Sequence, residues 1–210
     1  MHAVAQPAPP VVSKQCPRGA SRRVGRAAVA YAVGAFVAGA IVAGLTLGAG
    51  AAQADSFALI GGASLETSVT GAAWAWRAPG ALSEWPTSRL VWGIEADAMN
   101  IHSRRGRPLG AADIAAIGAT PNLRVEWPQQ NVEPYAEAGL GAHLLSATQL
   151  RGGPSLGTAF QFGEWLGAGL RFGAGRALEL GLRIEHLSNA DIKQPNDGLT
   201  FVGARFGWWF

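Results

Sequence analysis

Hydrophobic and polar residues alternate with a period of two along much of the chain after residue 55. From Ala177 to Ser188, the even positions begin with a row of Leu and Ile, whereas the odd positions are largely charged residues and glycine. Four other segments alternate in the same way, and the last of them ends in Phe206, Trp208 and Phe210. Because successive side chains of a β-strand point to opposite faces, this pattern predicts strands with one apolar face.

The spacing predicts about eight strands, near 56–64, 67–77, 88–101, 112–127, 132–145, 158–172, 175–188 and 198–210. Soluble antiparallel sheets also alternate, so a soluble periplasmic β-protein is one alternative. Two details favour a barrel in the bacterial outer membrane. Charged residues share a face with glycine and aromatic residues, as in a narrow barrel interior, and the apolar face ends in an aromatic girdle.

We therefore predict an all-β fold, an eight-stranded antiparallel transmembrane β-barrel. Eight strands enclose an interior that side chains can fill, which argues against a porin. The interior Glu and Arg residues should pair, because an unpaired buried charge is very costly. An even strand number places both ends of the barrel on the periplasmic side, so the strand that ends at Ser188 runs outward.

Charge is distributed unevenly along the chain. Five of the 17 basic residues and none of the 14 acidic residues lie in residues 1–54, so residues 55–210 carry 12 basic and 14 acidic groups. A nucleic-acid surface is therefore not indicated. The basic stretch, the apolar run that follows and Ala52-Gln53-Ala54 are typical of a cleaved signal peptide over residues 1–54. The alternative is an uncleaved membrane helix. Cys16, the only cysteine, lies in this segment.

His186 and Ser188 are polar residues on the apolar row of the seventh predicted strand. Residues i and i+2 share a strand face, so the imidazole can take the proton of the serine hydroxyl. Polar residues on a lipid-facing row are costly and require a reason. The amide of the adjacent Asn189 is a candidate oxyanion donor. The alternative interpretation is that His186 and Ser188 lie at the rim of the barrel and contact lipid head groups without a catalytic role.

The string His186-Leu187-Ser188-Asn189-Ala190, followed by residues 193–198, resembles the lipid A 3-O-deacylase family (PagL-type enzymes). The resemblance is sharpest over 183–198 and weaker over 157–173. It implies an outer-membrane serine esterase that removes the 3-O-linked acyl chain of lipid A from lipopolysaccharide, with His186, Ser188 and Asn189 in the site. It implies no cofactor and no metal. A homodimer is left open.

One position departs from the family pattern: Thr200 stands where the family has the Glu of its triad. We expect Glu164, on the apolar row of the sixth predicted strand, to be the replacement acid. A turn at Gly173–Gly175 would place Glu164 near Ile184 and diagonal to His186, within reach of long side chains. A rim carboxylate without a catalytic role is the alternative.

Three further predictions concern neighbouring residues. Asp191, where the family often has Gly, and Asp197 are expected in a loop, and His102 is expected in the loop after the third predicted strand.

The sequence leaves two other functions open. One is a structural or adhesion barrel with a degenerate site, for which Thr200 is the evidence. The other is a lipid-modifying acyltransferase barrel.

Overall fold

The computed structural model describes residues 56–106 and 109–210. The elements in these ranges are β1 (Ser56–Ala63), β2 (Thr67–Arg77), β3 (Ser83–Trp85), β4 (Ser88–Ser103), β5 (Asp113–Glu126), β6 (Val132–Leu145), β7 (Phe160–Phe172), a 3₁₀ helix (Ala174–Arg176), β8 (Leu178–Ser188) and β9 (Leu199–Trp209). The predicted signal peptide lies outside the described residues. No helix in the described ranges has the length and apolar character needed to cross a membrane.

Eight of these strands form a closed antiparallel ring, as predicted. Each pairs with the next along the chain, β2 pairs with β4, and β9 closes the ring on β1. The predicted strand limits differ from the observed ones by up to three residues. The short β3 is an addition that the alternation did not predict, and it pairs with the first residues of β4.

The two ends of the barrel differ. Ser56, the first residue of β1, pairs with Trp209, the last residue of β9. We call this end of the barrel the terminal end. The opposite end, the loop end, carries the connections 104–112, 146–159 and 189–198. His102 belongs to β4 and not to the following loop as predicted, because the alternation and the ladder of β4 continue to Ser103.

Ion pairs fill the interior toward the terminal end, as predicted. The Arg124 guanidinium donates to Glu137 at 2.6 Å and to Glu179 at 2.8 Å. Arg183 donates to Glu95 at 2.7 Å, and Arg205 also pairs with Glu95. Such a network stabilises a barrel only when each charge has a partner, since desolvation of each ion costs several kcal/mol.

An apolar cluster fills the interior toward the loop end. It includes Met99, Ile101 and Leu187 from the strands, and Leu150 and Leu156 from the β6–β7 connection. That connection therefore folds back over the barrel opening. Large interior side chains lie over glycines of the neighbouring strands: a Cβ at Gly139 on β6 would lie 2.5 Å from the ring of Trp165 on β7. The interior is filled by side chains.

Candidate active site

His186 and Ser188 lie on the outward face of β8, at the loop end. Residues of β8 alternate regularly between buried and accessible, and Leu187, between His186 and Ser188, is fully buried in the apolar cluster. Both polar side chains are half-buried on the outer row. The alternation of β8 thus places an imidazole and a hydroxyl together on the surface that meets lipid.

Thr200 holds the His186 ring from β9. The two residues are direct partners in the β8–β9 register. His186 Nδ1 lies 2.7 Å from Thr200 Oγ1, the distance of a good hydrogen bond. With Nδ1 occupied, Nε2 is the ring nitrogen left for chemistry. The position at which the sequence resemblance places the triad acid therefore contacts Nδ1, and it carries a hydroxyl in place of a carboxylate.

Glu164 lies directly opposite His186 on the other neighbouring strand, β7. The predicted register was wrong by two residues: Glu164 pairs with His186 and not with Ile184. The β7–β8 connection is longer than a tight turn, because the 3₁₀ helix Ala174–Arg176 separates the strands. Glu164 is exposed on the outer face, and no hydrogen bond joins it to His186 in the described part of the chain.

Gly198 packs against the imidazole from the β8–β9 connection. A Cβ at this position would lie 2.7 Å from His186 Cε1 and 3.1 Å from Nε2. The backbone there has φ +66°, a left-handed conformation that glycine adopts without strain. The sequence predicted that the neighbouring Asp197 lies in a loop, but it gave no sign of this contact. Gly198 thus limits the space in which the imidazole can move.

Asn189 is fully buried beneath the loops. Its Nδ2 donates to the Leu156 carbonyl at 2.9 Å and to the Lys193 carbonyl at 2.8 Å. Both amide protons are therefore committed to holding the loops, and the predicted role of this amide as an oxyanion donor does not match the geometry. The next two residues, Ala190 and Asp191, have φ +50° and +60°.

The two aspartates of the β8–β9 connection brace it, in line with their predicted loop position. Asp197 Oδ2 accepts a hydrogen bond from the Ser155 backbone N–H at 2.8 Å. Asp191 Oδ1 accepts from the Gln194 and Asn196 side chains. The described ranges hold no cluster of His, Cys, Asp and Glu arranged to bind a metal ion.

Ser188 Oγ makes no hydrogen bond to His186 within the described residues. Serine–histidine contacts are often long without substrate. Ser188 pairs in register with Phe162, whose ring meets Phe160 edge-on with centroids 5.1 Å apart. An accessible aromatic surface therefore flanks the hydroxyl, as suits a substrate with acyl chains.

The family model described as lipid A 3-O-deacylase (PagL) matches residues 67–209. The chain belongs to this family. Two curated proteins named lipid A deacylase PagL are similar in sequence. The one from Pseudomonas aeruginosa is 37% identical over 84 residues, which are 40% of this chain and 47% of that protein. The one from Bordetella bronchiseptica is 41% identical over 76 residues, or 36% and 41% of the two chains. The chain thus spans less than half the length of each curated relative.

A solved structure, the crystal structure of the outer membrane enzyme PagL, shares the barrel. It is 25% identical and has a TM-score of 0.64, and the match covers 73% of this chain and 98% of that chain. The chain is therefore an outer-membrane β-barrel of the PagL family. Within that family pattern, Thr200 remains the departure that the chemistry of the site must accommodate.

Proposed function

We propose that this protein hydrolyses the 3-O-linked acyl ester of lipid A in the outer leaflet of the outer membrane, with Ser188 as the nucleophile. The observation that carries the proposal is the outward row at the loop end. There Ser188 and His186 share a strand, and the His186 Nδ1 is held from β9. With the loop end outside the cell, this row meets the ester where lipid A lies in the leaflet.

In the first step, Ser188 Oγ forms a bond to the acyl carbon while His186 Nε2 takes the hydroxyl proton. The carbon–oxygen bond to position 3 of lipid A then breaks, and that oxygen receives the proton from the imidazolium. Water attacks the acyl-serine, with the same imidazole as base, and releases the fatty acid. No cofactor enters either step.

The imidazolium that forms is stabilised by two groups on opposite sides. The Thr200 hydroxyl accepts from Nδ1–H once the ring is protonated and holds the ring in place, and Glu164 supplies negative charge from the paired position on β7. In this division of roles, Thr200 is a positioning residue and Glu164 replaces the missing carboxylate. A carboxylate beside the histidine of a serine protease contributes on the order of 10⁴ in turnover.

The oxyanion requires donors other than the committed Asn189 amide. We assign the backbone N–H groups of Ala190 and Asp191, which follow Ser188 closely and have no acceptor within residues 56–106 and 109–210. Ala190 and Asp191 are the two central residues of a tight turn, which the Ile192 N–H closes by donating to the Asn189 carbonyl at 3.1 Å. Asn189 then acts as a positioning residue, because it holds the loop that presents these donors.

Two further parts of the proposal lie outside the site. Residues 1–54 act as the export signal with cleavage after Ala54, which the N-terminal sequence of the mature protein would test. Lipopolysaccharide is the partner in the membrane, and a homodimer stays a prediction.

The deciding experiment is mass spectrometry of lipid A from a heterologous Gram-negative host that expresses the wild type or Ser188→Ala. We expect the wild type alone to remove one hydroxyacyl unit. Ser83→Ala, on β3 at the other end of the barrel, is the matched control and should keep activity. Unchanged lipid A with all three inserted barrels would contradict the proposal and favour the degenerate barrel, and added mass would indicate an acyltransferase.

A further inference from the structure

A second row of polar residues lies on the opposite wall of the barrel. In the ring, β4 is four strands away from β8 in either direction. Near the loop end of β4, His102 is paired in register with Ser68 on β2 and with Asp113 on β5. The three residues occupy neighbouring outward positions on three adjacent strands.

The histidine and the aspartate of this row are joined. His102 Nδ1 lies 2.9 Å from Asp113 Oδ1, and the two side chains are 52% and 53% exposed. Asn100 Nδ2 donates to the same carboxylate oxygen at 3.2 Å. Since a carboxylate only accepts, Nδ1 carries the proton, and Nε2 is left as the basic nitrogen. Asp113 thus gives His102 the tautomer that a general base needs.

Ser68 lies on the other side of the same histidine. Directly opposed residues of an antiparallel pair have Cβ atoms roughly 4.5–5.5 Å apart, which lets a serine hydroxyl approach an imidazole. Within the described residues, neither Ser68 Oγ nor His102 Nε2 has a hydrogen-bond partner. The order across the strands is therefore hydroxyl, imidazole and carboxylate.

The two walls match in a further respect. In both, the histidine stands near the loop end of its strand, and Nδ1 contacts the next strand along the chain, through Thr200 Oγ1 on one wall and Asp113 Oδ1 on the other. The partner of Nδ1 is a hydroxyl on the Ser188 wall and a carboxylate on this one. A carboxylate in this position orients the imidazole and stabilises the imidazolium that forms when the serine loses its proton.

From this arrangement, we propose that Ser68, His102 and Asp113 form a second acyl-ester hydrolase site, which acts on carboxylic esters of amphiphiles in the outer leaflet. Ser68 Oγ bonds to the acyl carbon as His102 Nε2 takes its proton. The ester carbon–oxygen bond breaks, and the leaving oxygen takes that proton. Water then cleaves the acyl-serine and restores the hydroxyl. Like the first site, this row faces the lipid, so no substrate enters the filled interior.

The test uses the full mature chain folded in detergent and a fluorophosphonate with a long alkyl chain, which forms a stable adduct with an activated serine. Ser188→Ala removes the first site and serves as the background. We expect this variant to take one adduct, which peptide mapping locates at Ser68. Addition of Ser68→Ala should abolish the adduct, and addition of Asp113→Asn should slow labelling at least about 10-fold.

Thr70→Ala in the same background is the matched control. Thr70 lies on the same outward row of β2 as Ser68, two residues along. Its replacement should change the rate of labelling at Ser68 by less than about twofold. Heat-modifiable migration on gels verifies that each variant is folded. An unlabelled Ser188→Ala protein, or an adduct that persists without Ser68, would overturn the second site.

The outcome for this site is separable from that for the first. A wild-type protein labelled at Ser188 and a Ser188→Ala protein without label would refute the second site and leave the first intact. Label at Ser68, with lipid A unmodified by the wild type in cells, would support the second site and refute the proposed function of the first.

Discussion

The position of Glu164 leads to a quantitative prediction about the Ser188 site. Its carboxylate lies on the strand position directly opposite His186, and the described residues provide no hydrogen bond between them. Its effect on the imidazolium is therefore through space. At roughly 5 Å, Coulomb's law gives about 0.8 kcal/mol in a water-like medium and about 3 kcal/mol near a protein surface. These energies correspond to factors of about 4 and about 150 in rate.

Because Glu164 is exposed, we expect Glu164→Gln to lower turnover by about 10-fold, nearer the lower limit. The effect should fall on kcat and not on KM, since the imidazolium exists only after the proton moves. The loss should also shrink at high salt. The assay is initial-rate deacylation of purified lipopolysaccharide in detergent, followed by mass spectrometry.

Thr200→Glu and Glu164→Gln together form a double-mutant cycle. Thr200→Glu restores a carboxylate at the position that already contacts Nδ1, so we expect turnover to rise at least about 10-fold. In that background, Glu164→Gln should cost less than about threefold, since the charge is already supplied. With Thr200 in place, a Glu164→Gln enzyme whose turnover stays within twofold of wild type would refute the reasoning. Glu84→Gln, exposed on β3, is the control.

Two other predictions concern the barrel and the imidazole. Glu95→Gln should lower the free energy of unfolding by about 3–5 kcal/mol in urea titrations in micelles, because it leaves buried arginine charge without a partner; Glu84→Gln should change it by less than about 0.5 kcal/mol. Gly198→Ala should lower kcat at least about 10-fold, since its Cβ would lie 2.7 Å from His186 Cε1. The control is Gly80→Ala, which should keep kcat, because Gly80 has a similar φ of +74° and nothing lies near its Cβ. Equal kcat for the two glycine variants would contradict the assigned contact.

The strands were predictable because a barrel wall separates two solvents. Each strand has lipid on one side and a filled interior on the other, so side-chain character must change at every residue. This requirement extends to the ends, where His186 and Thr200 still keep the alternation. The outward direction of the candidate site residues on the strands could thus be inferred from sequence.

The register between β7 and β8 could not be predicted in the same way. It depends on the conformation of a short connection, in which Gly175 and Arg176 both have positive φ. Alternation alone cannot distinguish two registers that differ by an even number of residues, because a shift of two residues keeps every side chain on the same face of the sheet. The error of two residues therefore left Glu164 on the outer row but misplaced it along the strand.

The hydrogen bonds of the Asn189 amide could not be predicted from the sequence for a different reason. Its partner at Leu156 lies 33 residues earlier in the chain, in a connection without regular structure. Local pattern carries no information about such a contact. The contact between Gly198 and His186 belongs to the same class, because it joins a loop backbone to a strand side chain.

The filled interior explains why the chemistry of this barrel belongs on its outer surface. Arginine–carboxylate pairs occupy one half of the lumen, and apolar side chains with the β6–β7 connection occupy the other. An ester substrate inside would have to displace buried charges that are costly to leave unpaired. Polar groups on the outer rows also carry a desolvation cost in the membrane, but near the loop end that cost is small. A rim position therefore combines access to the acyl chains with tolerance for an imidazole, and it does so on the walls of both β8 and β4.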